Sequence, residues 1–230
     1  MQNVISELEE KYLLDIKAFY ASYFSDIQDM ENFIQRVYQF DSDGRKARQM
    51  LFQVQRFVSL ATEIDKIRPN RDGLRALFLK CCMESLAKLA SKKPVDFYDL
   101  FASSFSVEGK KYILDNFSLL RIEDQGDENK YKDYYELTID DILSIIKEAR
   151  DMVVHQGNYW DIQIFARNDD IDWVTHIESN EQLLSKKTYA NKNKRLIKYY
   201  FETTLQFEKF KFFFVEACIN FINYYMESKS

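Results

Sequence analysis

Leu74-Arg75-Ala76-Leu77-Phe78-Leu79-Lys80-Cys81-Cys82-Met83-Glu84-Ser85-Leu86-Ala87-Lys88-Leu89 is the stretch that decides the fold. Leu74, Leu77, Phe78, Cys81, Cys82, Leu86 and Leu89 recur mostly at steps of three and four, the repeat of one face of an α-helix. The segment is apolar enough to be the central helix of a core. Arg68-Pro69-Asn70-Arg71-Asp72-Gly73 reads as a turn before it, and Lys93-Pro94 ends it. Proline cannot continue a helix and disfavours helical backbone in the residue before it.

Helical spacing continues on both sides. Ile5, Leu8, Tyr12, Ile16, Phe19 and Tyr23 form one stripe, and Phe33, Val37 and Phe40 another after a break near Asp26. From Asp43 a third helix sets Ala47, Met50, Leu51, Val54, Phe57, Val58, Ala61 and Ile64 on one face and stops at Pro69. Shorter segments follow at Val95 to Ala102 and Glu108 to Leu120, then a polar loop from Glu123 to Lys132. Thr138 with Asp141 three residues on reads as a capping pair, and Ile142, Ile145, Ile146, Ala149 and Val153 mark a buried stripe after it. Between Tyr159 and Lys187 the helical period fails. Ile162 and Ile164, then Trp173, Thr175 and Ile177, alternate about Asn168-Asp169-Asp170 as a short hairpin does. Leu196, Tyr200, Thr203, Phe207, Phe210, Phe214, Cys218, Phe221 and Tyr225 then predict one long last helix.

Composition agrees with this pattern. Only five Gly and two Pro stand among 230 residues, too few tight-turn residues for a sandwich or barrel of many short strands. The fold class expected is all-α, with a short irregular or hairpin insertion near 159–187. Aromatic residues make up 16%, so much of the core is built from rings, and some Tyr hydroxyls must find partners there. A net charge of −5 excludes a large basic nucleic-acid surface but leaves room for a local cluster. Cys81, Cys82 and Cys218 lack metal-ligand spacing and read as small buried apolar residues. The N-terminus has no signal-peptide core, and no apolar run approaches the roughly 20 residues that span a bilayer. A soluble protein of a reducing cytoplasm, away from membranes, is expected. Residues 1–68 form an N-terminal helical part and 69–230 a second domain, with the turn at 68–73 as the border, or the two make one continuous domain.

Gly-rich phosphate loops, Cys pairs and His-Glu-x-x-His spacings are missing, and two His cannot make a His-rich metal site. No metal or cofactor is expected. What remains is Arg150-Asp151-Met152-Val153-Val154-His155. His155 falls in the last turn of its helix, two residues before Gly157, which can supply a left-handed cap. That end of the dipole favours a positive charge, and His is the side chain best suited to general acid or base work near neutrality. The planar guanidinium of Arg150 can grip a phosphate with two parallel hydrogen bonds. Five residues turn a regular helix by about 140°, so the two side chains cannot share a face. Either the helix unwinds before His155, or two protomers pair so that each site takes groups from both copies. A plain reading stands beside this one: a His near a helix end is a common cap, and Arg150 pairs locally with Glu148 or Asp151. His176 has no neighbour spacing that points to a site.

The stretch Glu148-Ala149-Arg150-Asp151-Met152-Val153-Val154-His155-Gln156-Gly157 resembles the signature of the HEPN superfamily, where Arg, a polar residue, a short apolar stretch and His follow along a helix. Arg150 and His155 occupy the motif positions and Asp151 the polar place. Leu74 to Leu89 is similar to an early core helix of the family, with Glu84 where an inward polar residue often stands. The resemblance covers roughly Pro69 to Ser230 and implies a HEPN-like helical bundle carrying extra N-terminal helices. It implies a homodimeric, metal-independent endoribonuclease of toxin-antitoxin or phage-defence type. His155 then activates a ribose 2′-hydroxyl, Arg150 stabilises the developing charge, and a 2′,3′-cyclic phosphate is left. It also implies RNA and an antitoxin or regulator protein as partners. Members paired with nucleotidyltransferase-like antitoxins often carry Tyr two after the His, where this chain has Gly157. Some members are non-catalytic, so a helical module that binds nucleotide, RNA or a protein is the alternative; a plain helical scaffold is the third.

Lys186, Lys187, Lys192, Lys194, Arg195 and Lys198, with Tyr189 and Tyr199 between them, form a basic cluster that can follow an RNA backbone and stack a base. Lys194 and Arg195 are the residues chosen from it for RNA binding. Placed at the start of the last helix, these cations oppose its dipole, so the alternatives are a solvated helix start and a functional patch.

Overall fold

The computed structural model describes residues 2–40, 45–69, 71–124, 136–157, 163–166, 173–179 and 197–229. Helices dominate. They are α1 (Gln2–Tyr20), α2 (Ile27–Gln39), α3 (Lys46–Ile67), α4 (Asp72–Leu89), α5 (Pro94–Ser103), α6 (Val107–Asp115), α7 (Ile139–Gln156) and α8 (Phe207–Glu227). Among the described residues no helix is long and apolar enough to cross a membrane.

Local signals set most boundaries. The Asp26 side chain accepts from the Gln28 amide and starts α2, and Pro94 takes the first turn of α5, where a missing N–H costs nothing. Arg68 and Pro69 end α3, while α4 already begins at Asp72, so the turn is shorter than its composition predicts. α4 is the central element, packed on α3 on one side and α7 on the other. Its buried set is Asp72, Gly73, Ala76, Leu79, Lys80, Cys82, Met83, Leu86 and Ala87, rotated from the predicted stripe and including an aspartate and a lysine. α8 closes the core with aromatic residues: Phe214 meets Phe101 at 5.5 Å and Phe221 meets Phe97 at 5.2 Å between ring centroids. One buried cluster runs from Ile16 on α1 to Met226 on α8, across the border expected at 68–69. In that cluster the buried Tyr20 hydroxyl donates to the Leu51 carbonyl at 3.0 Å.

The last part of the chain departs from its prediction. Residues 197–203 are not helix but strand, and the long final helix starts only at Phe207. A three-stranded antiparallel sheet is formed by β1 (Phe117–Asp124), β2 (Trp173–Ser179) and β3 (Ile197–Thr203), in the order β1-β3-β2. β1 takes the end of the segment predicted as helix to Leu120, and also Glu123 and Asp124 from the predicted loop. Its pairing with β3 shifts between Leu119 and Arg121, a bulge that leaves Leu120 exposed. The predicted strand at Trp173 to Ile177 exists, but its partner is β3, with His176 opposite Tyr200. Residues 163–166 are no strand. Ile162 and the rest of the predicted hairpin turn lie outside the described residues.

A buried carboxylate fastens that last segment. Asp72 Oδ2 accepts from the amides of Ile164 and Phe165, both at 2.9 Å, and Oδ1 accepts from Arg75 Nη1 at 3.0 Å. The Thr203 hydroxyl donates to the Ile164 carbonyl at 2.9 Å, so the same segment also holds the end of β3.

Candidate active site

α7 carries the residues singled out from sequence. Its start is a complete capping box: the Asp141 amide donates to the Thr138 hydroxyl oxygen at 3.3 Å, and the Thr138 amide donates back to Asp141 Oδ2 at 2.8 Å. Its end is Gly157, at φ 65 in the left-handed region, whose amide donates to the Met152 carbonyl. Between these caps the helix is continuous through Gln156. Unwinding before His155, one of the two ways to reconcile the spacing, therefore does not occur.

Arg150 is held tightly on one side. Nη1 donates to Asp151 Oδ1 at 2.6 Å, and Nη2 lies 3.7 Å from Glu84 Oε2 on α4. The Arg150 side chain is 24% exposed, and its Nε is buried with no hydrogen-bond partner among the described residues. The Asp151 hydrogen bond raises its pKa further, so the guanidinium is cationic at any working pH. Three of the predicted residues, Arg150, Asp151 and Glu84, are thus brought together. Glu84 reaches this group because α4 and α7 pack side by side.

His155 is not brought to them. It is exposed on the final turn of α7, next to Val154, which is itself 49% exposed. It makes no hydrogen bond or ion pair with a described residue. With the helix regular, about 140° separates it from Arg150 around the axis. Lys194 and Arg195 lie outside the described residues, as do Lys186, Lys187 and Lys192 of the basic cluster. Lys198 falls in β3, so the dipole cost assigned to a helix start does not arise.

Two features were missed from sequence. One is Asp72 with Arg75, the first placed in a turn by the sequence reading and the second given no role in it. The other is Lys80, whose side chain is 6% exposed and whose Nζ lies 3.4 Å from Glu84 Oε1 and 4.5 Å from the Tyr98 ring centroid. Burial lowers its pKa, and the nearby Lys147 and Arg150 add to this against the pull of Glu84. The available signal was the Lys-Glu spacing of four on a helix otherwise rich in apolar residues. Glu84 therefore joins two cations, Lys80 and Arg150. Of the three cysteines, Cys82 and Cys218 are buried and Cys81 partly so. No protein-family model matches the chain, and no curated protein or solved structure does.

Proposed function

We propose that this chain is an endoribonuclease of HEPN type that works as a homodimer, with each site combining Arg150 of one copy and His155 of the other. The observation that carries this reading is the unbroken last turn of α7. It leaves His155 exposed beside an exposed valine and turned away from an Arg150 already positioned by two carboxylates. Two such helix ends related by a two-fold axis supply a complete pair of groups that one regular helix cannot.

In that site His155 takes the proton of a ribose 2′-hydroxyl as the 2′-oxygen attacks phosphorus. The bond from phosphorus to the 5′-oxygen breaks, and that oxygen is protonated from solvent. A 2′,3′-cyclic phosphate and a 5′-hydroxyl are left. Arg150 holds the phosphoryl oxygens through the transition state, when their charge grows. Asp151 and Glu84 orient the guanidinium. The chemistry assigned to these groups needs no metal. Dependence on the 2′-hydroxyl makes RNA the substrate. A toxin or phage-defence setting, with an antitoxin or regulator as partner, follows from the resemblance alone.

The test is cleavage of a generic RNA in EDTA by wild type and His155→Ala. Activity in wild type that falls at least about 100-fold in the variant is expected, the loss typical of a removed general base. Equal activity in both would remove His155 from the site. One observation favours the alternative, a non-catalytic module: no described group orients the His155 imidazole, and general bases usually have such a partner. RNA binding lost in Arg150→Ala, with no cleavage by wild type, would decide for it.

A further inference from the structure

Lys80 is a buried amine that the proposed RNA chemistry leaves unused. It lines a cleft of about 700 Å³ between α4, α5 and α7, in the size range of small-molecule sites. Its side chain is 6% exposed, and its Nζ lies 3.4 Å from Glu84 Oε1 and 4.5 Å from the Tyr98 ring centroid. We infer that Lys80 is a nucleophile that condenses reversibly with a short aldehyde bearing a carboxylate, and that Lys147 holds the carboxylate. The inference does not depend on RNA cleavage.

A lysine becomes a nucleophile when its amine is stripped of water or set beside another cation, because both favour the neutral form. Lys80 meets both conditions. Burial lowers its pKa most, and Lys147 and Arg150 on α7 add to this. Glu84 pulls the other way. Its side chain is 47% exposed, so solvent screens the pair, and its other oxygen lies 3.7 Å from Arg150. From α5, Tyr98 offers the amine a ring face and no acceptor oxygen.

The same neighbours serve a condensation. Once the ammonium has lost a proton to solvent, the nitrogen lone pair bonds to the carbonyl carbon and the C=O π pair moves to oxygen. Glu84 Oε1 takes a proton from nitrogen and passes it to that oxygen, giving a carbinolamine. The C–O bond then breaks as C=N forms, and the oxygen, protonated once more through Glu84, leaves as water. The iminium that remains carries the positive charge Lys80 had, and it keeps the Glu84 carboxylate and the Tyr98 face as partners. The carboxylate on the aldehyde follows from the charges around it. Lys147 lines the same cleft half-buried and makes no ion pair with a described residue. Asp140, also on α7, stands seven residues earlier, about 10 Å along the axis, and Asp99 acts on it there. A short anion at Lys147 therefore stays clear of both aspartates.

Trapping with cyanoborohydride, which reduces the iminium to a stable amine, tests the inference on the full-length wild-type chain. The probes are 4-oxobutanoate and butanal, of equal length with and without the carboxylate, and peptide mass spectrometry reads the rate at each lysine near neutral pH. Lys88 and Lys92, exposed on the rim of the same cleft, are internal controls. With 4-oxobutanoate, Lys80 is expected to react at least about tenfold faster than either. Butanal reacts at Lys80 about tenfold more slowly than 4-oxobutanoate, and Lys147→Met removes that preference. Because the wild-type chain supplies the main readout, no variant of the buried lysine has to fold. Labelling at Lys80 no faster than at Lys88 and Lys92 would overturn the nucleophile. Equal rates with the two probes, or a preference that survives Lys147→Met, would overturn the carboxylate site.

Discussion

Arg75 and Arg150 have the same partners in kind and opposite surroundings. Each is flanked by two carboxylates: Asp65 at 3.2 Å and Asp72 at 3.0 Å for Arg75, Asp151 at 2.6 Å and Glu84 at 3.7 Å for Arg150. Each leaves a buried Nε without a hydrogen-bond partner among the described residues. The difference lies in the carboxylates. Asp72 is 6% exposed and spends its second oxygen on two backbone amides, while Asp151 and Glu84 are 29% and 47% exposed and fasten no backbone across the fold. The Arg75 guanidinium is further covered by the Phe207 ring at 4.3 Å. The first group is a strut that cannot exchange partners without freeing residues 163–166. The second is half-buried but anchors no backbone, so its arginine can turn to a phosphate without unfastening the fold.

Substitutions break this contrast at either end. Asp72→Ala strands two buried amides and one guanidinium, and a loss of about 3–5 kcal/mol in urea unfolding is expected. Asp72→Asn keeps one acceptor and costs less. Burial raises the Asp72 carboxyl above its ordinary 3.8, against the pull of the two amides and Arg75, so the folded state holds that proton more tightly than the unfolded one. Its contribution is therefore full below pH 3.8 and lost as pH rises through the folded value. The stability of wild type relative to Asp72→Asn should fall over that interval. Arg150→Lys leaves the fold unchanged but cannot grip phosphate with a planar fork, and RNA cleavage should drop about 10- to 100-fold. Gly157→Ala meets open space, so only its left-handed backbone penalises it. A loss of about 1 kcal/mol is expected, with faster amide exchange confined to the last turn of α7. Glu84→Gln has the smallest effect: one competing charge leaves Arg150, and RNA binding tightens about two- to fivefold at low salt.

The contrast also marks what was legible in sequence. Thr138, Asp141 and Gly157 act through neighbours a few residues away, so both ends of α7 could be placed from local chemistry. The Asp72 strut joins residues more than ninety apart, and no local pattern announces such a bond. The strand at 197–203 was hidden differently. Tyr199, Phe201 and Thr203 are buried while Tyr200 and Glu202 are half-exposed, a period of two. Tyr200, Thr203 and Phe207 also fit helical steps, and the strong pattern of α8 extended backward over them. Glu84 could be placed near Arg150 only through the resemblance, since its approach depends on how α4 packs on α7.

Mixing two inactive variants tests the shared site most directly. Arg150→Ala and His155→Ala are each expected to lose cleavage of RNA in EDTA. Subunit exchange between them makes about half the dimers mixed, each with one intact site of two, so about a quarter of wild-type activity should return. If the mixture stays as inactive as its parts after exchange is complete, Arg150 and His155 do not act across a two-fold axis, and the account of the site is wrong.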